Sequence, residues 1–265
     1  MAAFAAAVAL GYRYLETDVH VTTDGVLIAF HDDRLDRVTD MRGVVAEMDS
    51  SEIRRARVGG REPIVEFADL LATFPDARIN VDPKHDAAVA ALIRVVRDAG
   101  AAERVCIGSF SDRRVAEIRE AFGPAICTAL GPWEIAALRV AAWGARPFLD
   151  RLRRRPGSCV QIPQRGRGGL RLVEPRLIAA AHELGLPVHV WTVNGAAEMT
   201  RLLDLGVDGL FTDVPRVLRT VLAGRGEWQP GRGDGTAVPP ADGPADGLAH
   251  RADLFVIPDD PIVDG

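Results

Sequence analysis

The chain has 265 residues, of which 48% are hydrophobic, and a formal net charge of -5 at pH 7. This length suffices for one α/β barrel, which typically needs about 250 residues. The acidic balance argues against a nucleic-acid partner, and no apolar run reaches the ~20 residues of an integral membrane segment. Cys106, Cys127 and Cys159 lie mostly within apolar runs, which favours reduced core thiols and a cytoplasmic location.

Short β-branched runs alternate with longer helical segments along the chain, which predicts βα units around a parallel sheet. The first eleven residues lack the basic residues that open a secretory signal. We therefore interpret this segment as a helix of the fold and not as a signal. The predicted strands are Tyr14–Val21, 26–31, 78–81, 105–110, 125–130, 159–162, 188–193 and Gly209–Thr212. The predicted helices are 64–73, 87–99, 111–122, 132–143, 175–184 and 196–205.

The Asp24-Gly25 pair predicts a turn that folds residues 26–31 back on the preceding strand, so the two runs count as one barrel strand with a hairpin extension. Seven barrel strands remain, one short of a closed eight-stranded barrel. Met1 begins within a predicted helix that has no N-cap residue before it. We therefore expect the first strand of the barrel to be missing.

The composition changes after Gly224 to a mixture rich in Gly, Pro, Asp and Ala. This change predicts a barrel over residues 1–224 and a disordered, Gly/Pro/Asp-rich tail over residues 225–265. The tail contains one short apolar run at residues 254–257. We expect this run to be unanchored rather than docked on the barrel.

Glu16 and Asp18 are two residues apart on a predicted strand, so their carboxylates point to the same side. Two carboxylates that project together are unfavourable unless a cation neutralises them, and Mg²⁺ or Ca²⁺ prefers such oxygen ligands. A solvated strand face would be an equally good interpretation of this pair alone. Lys84 stands out because it is the single lysine among 32 basic residues.

The sequence ETDVHVTTDG at residues 16–25, followed by FHD at residues 30–32, resembles the glycerophosphodiester phosphodiesterase family. The early pattern of that family is E-x-D-V-x-x-T-x-D-G and then H-D. Later segments agree with it over residues 1–222: NVDPK at 80–84, SF at 109–110, WTVN at 191–194, GVDG at 206–209 and TDVP at 212–215. The resemblance implies a (β/α)₈ TIM barrel of the phospholipase-C-like phosphodiesterase type, with its chemistry at the carboxyl ends of the strands.

Carried over residue by residue, the resemblance implies that Glu16, Asp18 and Asp82 bind a divalent metal, Mg²⁺ or Ca²⁺. Asp82 replaces the glutamate that is commoner in the family. Lys84 is then expected to bind phosphate, Trp191 to form a wall against the glycerol moiety, and His31 to act as one of two general acid-base histidines. The implied reaction is hydrolysis of a glycerophosphodiester to an alcohol and glycerol 3-phosphate.

The second histidine of the family lies in an H-R-G motif on the first strand, which has no match before Met1. The loss of such a group typically lowers the rate by ~10²- to 10⁴-fold, so catalysis by this chain is expected to be impaired. Two alternatives remain open: a related phosphodiesterase that acts on lysophospholipids or phosphoinositides, and a non-catalytic remnant. The sequence does not determine the oligomeric state.

Overall fold

A computed structural model describes residues 1–145, 147–152, 157–169, 171–230 and 253–256. In chain order, its strands are β1 Tyr14–Val21, β2 Leu27–Ala29, β3 Arg57–Val58, β4 Glu62–Pro63, β5 Val65–Glu66, β6 Arg78–Pro83, β7 Val105–Ile107, β8 Cys127–Thr128, β9 Val160–Pro163, β10 Val188–Trp191, β11 Gly209–Thr212 and β12 Asp253–Val256. The helices are α1 Ala2–Ala9, α2 Ser50–Ile53, α3 Phe67–Thr73, α4 Ala87–Asp98, α5 Asp112–Phe122, α6 Pro132–Ala142, α7 Pro147–Leu152, α8 Pro175–Glu183, α9 Ala196–Asp204 and α10 Pro215–Arg225.

The described strands form a parallel barrel in the order β8-β7-β6-β1-β12-β11-β10-β9. A parallel bridge between Ala129 and Cys159 joins the two ends of this order and closes the ring. Helices cover the outside, and one continuous apolar core fills the space between them and the barrel. The predicted TIM-barrel fold is confirmed. No described helix is both long enough and apolar enough to cross a bilayer.

Strand β12 occupies the place where the sequence predicts a missing strand. It pairs in parallel with β1 through Tyr14 and Phe255, and with β11 through Phe211 and the same Phe255. This pairing satisfies backbone groups that an opening between β1 and β11 would leave exposed. The expectation that the run at 254–257 is unanchored is therefore wrong for residues 254–256. The division into a barrel and a tail falls largely on residues outside the described part of the chain and stays a prediction.

A small second core supports the loop that follows β2. The sequence predicts no element between residues 32 and 63, yet this segment folds around its own buried side chains, among them Leu35, Val45 and Ile53. Asp24 anchors the segment, since its carboxylate accepts hydrogen bonds from the Ser50 backbone N–H (2.9 Å) and hydroxyl (2.7 Å). The hairpin is thereby fixed at the mouth of the barrel.

Candidate active site

Three carboxylates meet inside the barrel on two neighbouring strands. Glu16 and Asp18 alternate on β1 and are only 8% and 9% exposed. Sheet register places Asp82 of β6 directly beside Asp18, and Asn80 beside Glu16. The pairing of two parallel strands thus assembles these carboxylates, which we call the acidic cluster.

Burial makes the charged forms of these carboxyl groups unfavourable. It raises the pKa of Glu16 well above its usual range, and the neighbouring charge of Asp18 raises it further. Burial also raises the pKa of Asp82 to about 7, although Lys84 opposes the shift. Asp82 Oδ1 is buried without a hydrogen-bond partner among the described residues. The acidic cluster is therefore short of positive charge.

Lys84 supplies one positive charge to the acidic cluster. Its Nζ lies 2.7 Å from Asp18 Oδ1, at the end of β6. Burial by itself lowers the pKa of Lys84, but the charges of Asp18, Asp82 and Glu16 raise it overall, so the ammonium form is favoured. One lysine against three carboxylates leaves room for a cation.

A divalent cation fits the chemistry of this donor set. Glu16, Asp18 and Asp82 offer only oxygen ligands, which Mg²⁺ and Ca²⁺ prefer. A cation would also supply the partner that Asp82 Oδ1 lacks and offset the repulsion that raises the pKa of Glu16. The residues that the sequence assigns to a metal are thus brought together in an arrangement that suits one.

His31 reaches the acidic cluster from the end of the hairpin. Its Nε2 lies 3.8 Å from Asp18 Oδ2, and its Nδ1 lies 2.7 Å from Asp32 Oδ1. Arg37 donates two hydrogen bonds to Asp32, of 2.7 and 2.9 Å, and thereby lowers the pKa of Asp32 to about 2. The ionised Asp32 can accept a hydrogen bond from Nδ1–H, which leaves Nε2 directed at the cavity. The side chain of His31 is 64% exposed, so solvent and ligands can reach it.

Two further histidines lie nearby, one within β1 and one shortly after β6. His20 is buried, and its Nε2 lies 3.2 Å from the backbone oxygen of His31, which it can donate to. Burial lowers the pKa of both His20 and His85, whose rings are 5.4 Å apart between centroids. His20 thus supports the position of His31, and the half-buried ring of His85 packs against His20.

An aromatic pair faces the acidic cluster across a cavity of about 1340 Å³. Trp191, the last residue of β10, makes an edge-to-face contact with Phe110, with ring centroids 5.6 Å apart. Phe110 follows β7 and is 69% exposed, an unusual position for a phenylalanine. We call these two residues the aromatic wall. Only Trp191 is predicted from the sequence as a site residue.

Asp213 is a second site residue that sequence reasoning missed. It follows β11, lines the cavity and adds to the raised pKa of Glu16, after the larger effects of burial, Asp18 and Asp82. Asn194 donates a hydrogen bond of 2.6 Å to the Asp213 carboxylate and accepts one of 3.0 Å from its backbone N–H. The signals in the sequence are the position of Asp213 at a strand end, which many acidic residues share, and its place in the family-like segment TDVP at 212–215, which by itself assigns it no role.

The chain matches known proteins over most of its length. The model of the glycerophosphoryl diester phosphodiesterase family matches residues 1–217. Probable glycerophosphodiester phosphodiesterase 2 of Mycobacterium tuberculosis is 38% identical over 229 residues, which cover 86% of this chain and 86% of that protein.

Solved structures show the same fold. A glycerophosphodiester phosphodiesterase from Agrobacterium tumefaciens superimposes with a TM-score of 0.64 at 23% identity, over 82% of this chain and 90% of that one. An Oleispira antarctica phosphodiesterase in complex with the product sn-glycerol-3-phosphate has a TM-score of 0.65 at 19% identity, over 82% and 87% of the two chains. The chain belongs to the glycerophosphoryl diester phosphodiesterase family, and by that membership it is a phosphoric diester hydrolase.

Proposed function

We propose that the chain hydrolyses glycerophosphodiesters to an alcohol and glycerol 3-phosphate in a reaction that depends on a divalent metal, Mg²⁺ or Ca²⁺. The observation that carries this proposal is the meeting of the acidic cluster, Lys84 and His31 at one end of the cavity. The product in the Oleispira antarctica structure supports the choice of glycerol 3-phosphate. We also propose a cytoplasmic location, which the free cysteines support.

Glu16, Asp18 and Asp82 would hold the metal. When bound, the cation would polarise the phosphoryl oxygens and offset developing negative charge. Lys84 would donate to a phosphate oxygen from its place beside Asp18. These residues bind and orient the phosphodiester at the acidic cluster.

His31 would move the proton. Its Nε2 lies 3.8 Å from Asp18 Oδ2, so the imidazolium form can give its Nε2 proton to the alcohol oxygen as the bond between phosphorus and that oxygen breaks. The oxygen of water bonds to phosphorus in the same step and its proton passes to solvent, from which the exposed Nε2 is reprotonated. Asp32 holds Nδ1 and so keeps the ring oriented through this exchange. Trp191 would pack against the glycerol carbons and exclude water from that side.

The test is an assay of glycerophosphocholine hydrolysis with Mg²⁺, with Ca²⁺ and after chelation. We expect activity only with metal, and we expect Glu16→Ala to abolish it. Glu103→Ala is the matched control, because Glu103 is exposed and lies in the turn before β7. Full activity after chelation would contradict the metal dependence, whereas no turnover under any condition would favour impaired catalysis or the non-catalytic interpretation.

A lysophospholipid is the second candidate substrate. The cavity of about 1340 Å³ exceeds the ~300–1,000 Å³ that is usual for small-molecule sites, and the aromatic wall is apolar. Such a cavity would accommodate part of an acyl chain. Product analysis separates the two candidates: preferential release of a lysophosphatidate would favour the lysophospholipid, and release of glycerol 3-phosphate alone would exclude it.

A further inference from the structure

Three cysteines from consecutive barrel strands form a cluster outside the acidic site. Cys106 lies on β7, Cys127 on β8, and Cys159 directly precedes β9. Register pairs Cys106 with Cys127, and the bridge from Ala129 to Cys159 brings the third thiol alongside. All three Sγ atoms lie within 4.8 Å of one another. The sequence suggests only separate core thiols, since it does not show that barrel closure unites them.

The spacing of the sulfur atoms suits a tetrahedral metal centre. Cys106 Sγ and Cys159 Sγ are 3.8 Å apart. Two thiolates bound to zinc at about 2.3 Å with a tetrahedral angle have sulfur atoms about 3.8 Å apart. A disulfide would require an S–S distance of about 2.05 Å, so this pair is reduced. Cys106 and Cys127 are half-buried, which leaves a small ion a route to them.

Hydrogen bonds within the cluster shift the pKa values of two of its thiols in opposite directions. Hydrogen bonds from Cys106 and then Cys159 lower the pKa of Cys127 to about 4, with smaller contributions from Ser158 and from the charge of His189. The reciprocal interactions raise the pKa of Cys106. The metal ligand is the thiolate form, so an ion that binds here would displace protons from the thiols, and the case for the site stands on the spacing of the sulfur atoms.

We propose that Cys106, Cys127 and Cys159 bind a thiophilic metal ion such as Zn²⁺. Thiolates select zinc, whereas the carboxylates of the acidic cluster suit Mg²⁺ or Ca²⁺, so the two sites differ in the ion that they bind. Water would complete the coordination. The site would tie β7, β8 and β9 together where the barrel closes on a single bridge.

Titration of the reduced full-length protein with Co²⁺ tests the proposal. We expect one equivalent to give a thiolate-to-cobalt charge-transfer band, which Zn²⁺ displaces. Cys127→Ser should weaken binding by at least about 100-fold, since even the loss of a group behind a metal ligand costs 10- to 100-fold. Asp82→Asn is the control, because it alters the acidic cluster and should leave the band unchanged.

The absence of a charge-transfer band in the reduced wild-type protein would overturn the proposal, as would a band that Cys127→Ser leaves intact. If Cys127→Ser does not fold, thiol alkylation of the wild-type protein decides the matter. Zn²⁺ should slow alkylation of all three cysteines at least about 10-fold. Equal alkylation rates with and without Zn²⁺ would refute the site.

Discussion

The two sides of the cavity are positioned in different ways. Glu16 and Asp18 of the acidic cluster lie within β1, are nearly buried and are fixed by register with β6. Phe110 of the aromatic wall lies beyond the end of β7 and is largely exposed, and Trp191 is the final residue of β10. Backbone pairing thus determines where the charged groups lie, whereas the wall depends on strand ends and loops. We expect the acidic side to govern the chemical step and the aromatic side to govern the choice of substrate.

Replacement of His31, on the acidic side of the cavity, should have the largest effect on activity. We expect His31→Ala to lower kcat by ~10²- to 10⁴-fold with little change in KM, because the variant loses a proton donor and not a binding surface. Steady-state kinetics with glycerophosphocholine measure this. Asp32→Asn, which only loosens the orientation of the ring, should lose less. A rise in KM with kcat unchanged would mean that His31 mainly binds substrate.

Replacement of Trp191 should show the opposite pattern. Trp191→Ala removes a large apolar surface, so we expect KM to rise about 10-fold while kcat falls much less. Trp143→Ala is the matched control, since Trp143 is 62% exposed at the end of α6 and contacts Arg176 instead of the cavity. If both variants behave alike, the aromatic wall has no part in substrate binding.

Strand β12 lies between β1, which carries Glu16 and Asp18, and β11, which is the neighbour of the Trp191 strand β10, so its disruption should affect both sides of the cavity. Phe255→Pro removes a backbone donor from a strand that has neighbours on each side, which we expect to lower Tm by roughly 5–10 °C. Phe255→Val keeps that donor and should change Tm far less. Scanning calorimetry of the two variants gives the comparison. Equal Tm values would show that β12 adds little to the stability of the barrel.

The pH dependence of metal binding should give the smallest of these effects, and it should distinguish the acidic side of the cavity from the aromatic side. The pKa of Asp82 is raised to about 7, so its carboxyl group is protonated below that pH and must release the proton to bind a cation. We expect the rise in Tm caused by Ca²⁺ to be a few degrees larger above pH 7 than about one unit below it. In the absence of metal, the effect of pH on the stability of the fold has the opposite sign. The folded state then holds its proton more tightly than the unfolded chain, so this group favours folding at low pH and that contribution declines as the pH approaches 7.

Trp191→Ala should leave this dependence on pH and Ca²⁺ unchanged, because the aromatic wall carries no titrating group. Thermal shifts measured in parallel for the wild type and for Trp191→Ala provide the check. A pH-independent Ca²⁺ effect would argue that Asp82 is not a ligand.

Local patterns in the sequence predict some parts of the molecule well. The bounds of β1 and β11 match those of the structure, because turn-forming residues mark where each ends: Asp24-Gly25 follows β1 and Pro215 follows β11. The alternation of Glu16 and Asp18 along a strand is enough to place both carboxylates on one face. The prediction that Asp82 joins Asp18 in one metal site required the family resemblance, because residues on separate strands come together only when the barrel folds.

Other features depend on contacts that no local pattern shows. Phe110 and Asp213 belong to the cavity because the barrel curves their strand ends together. The thiols of Cys106 and Cys159 meet because β8 closes against β9. The strand at 253–256 lies in a turn-rich stretch where composition favours irregular structure, and pairing with β1 and β11 overrides that preference.

The place of β12 also bears on how the protein is made. Tyr14 pairs with Phe255, so residues from opposite ends of the sequence must meet before the ring is complete. During synthesis, β1 and β11 leave the ribosome before their shared neighbour does, and their edges remain open to other chains for that time. Contacts of such long sequence separation slow folding. Expression yield should therefore respond to chaperone supply, and a rearranged gene that places residues 253–256 ahead of residue 1 should fold faster.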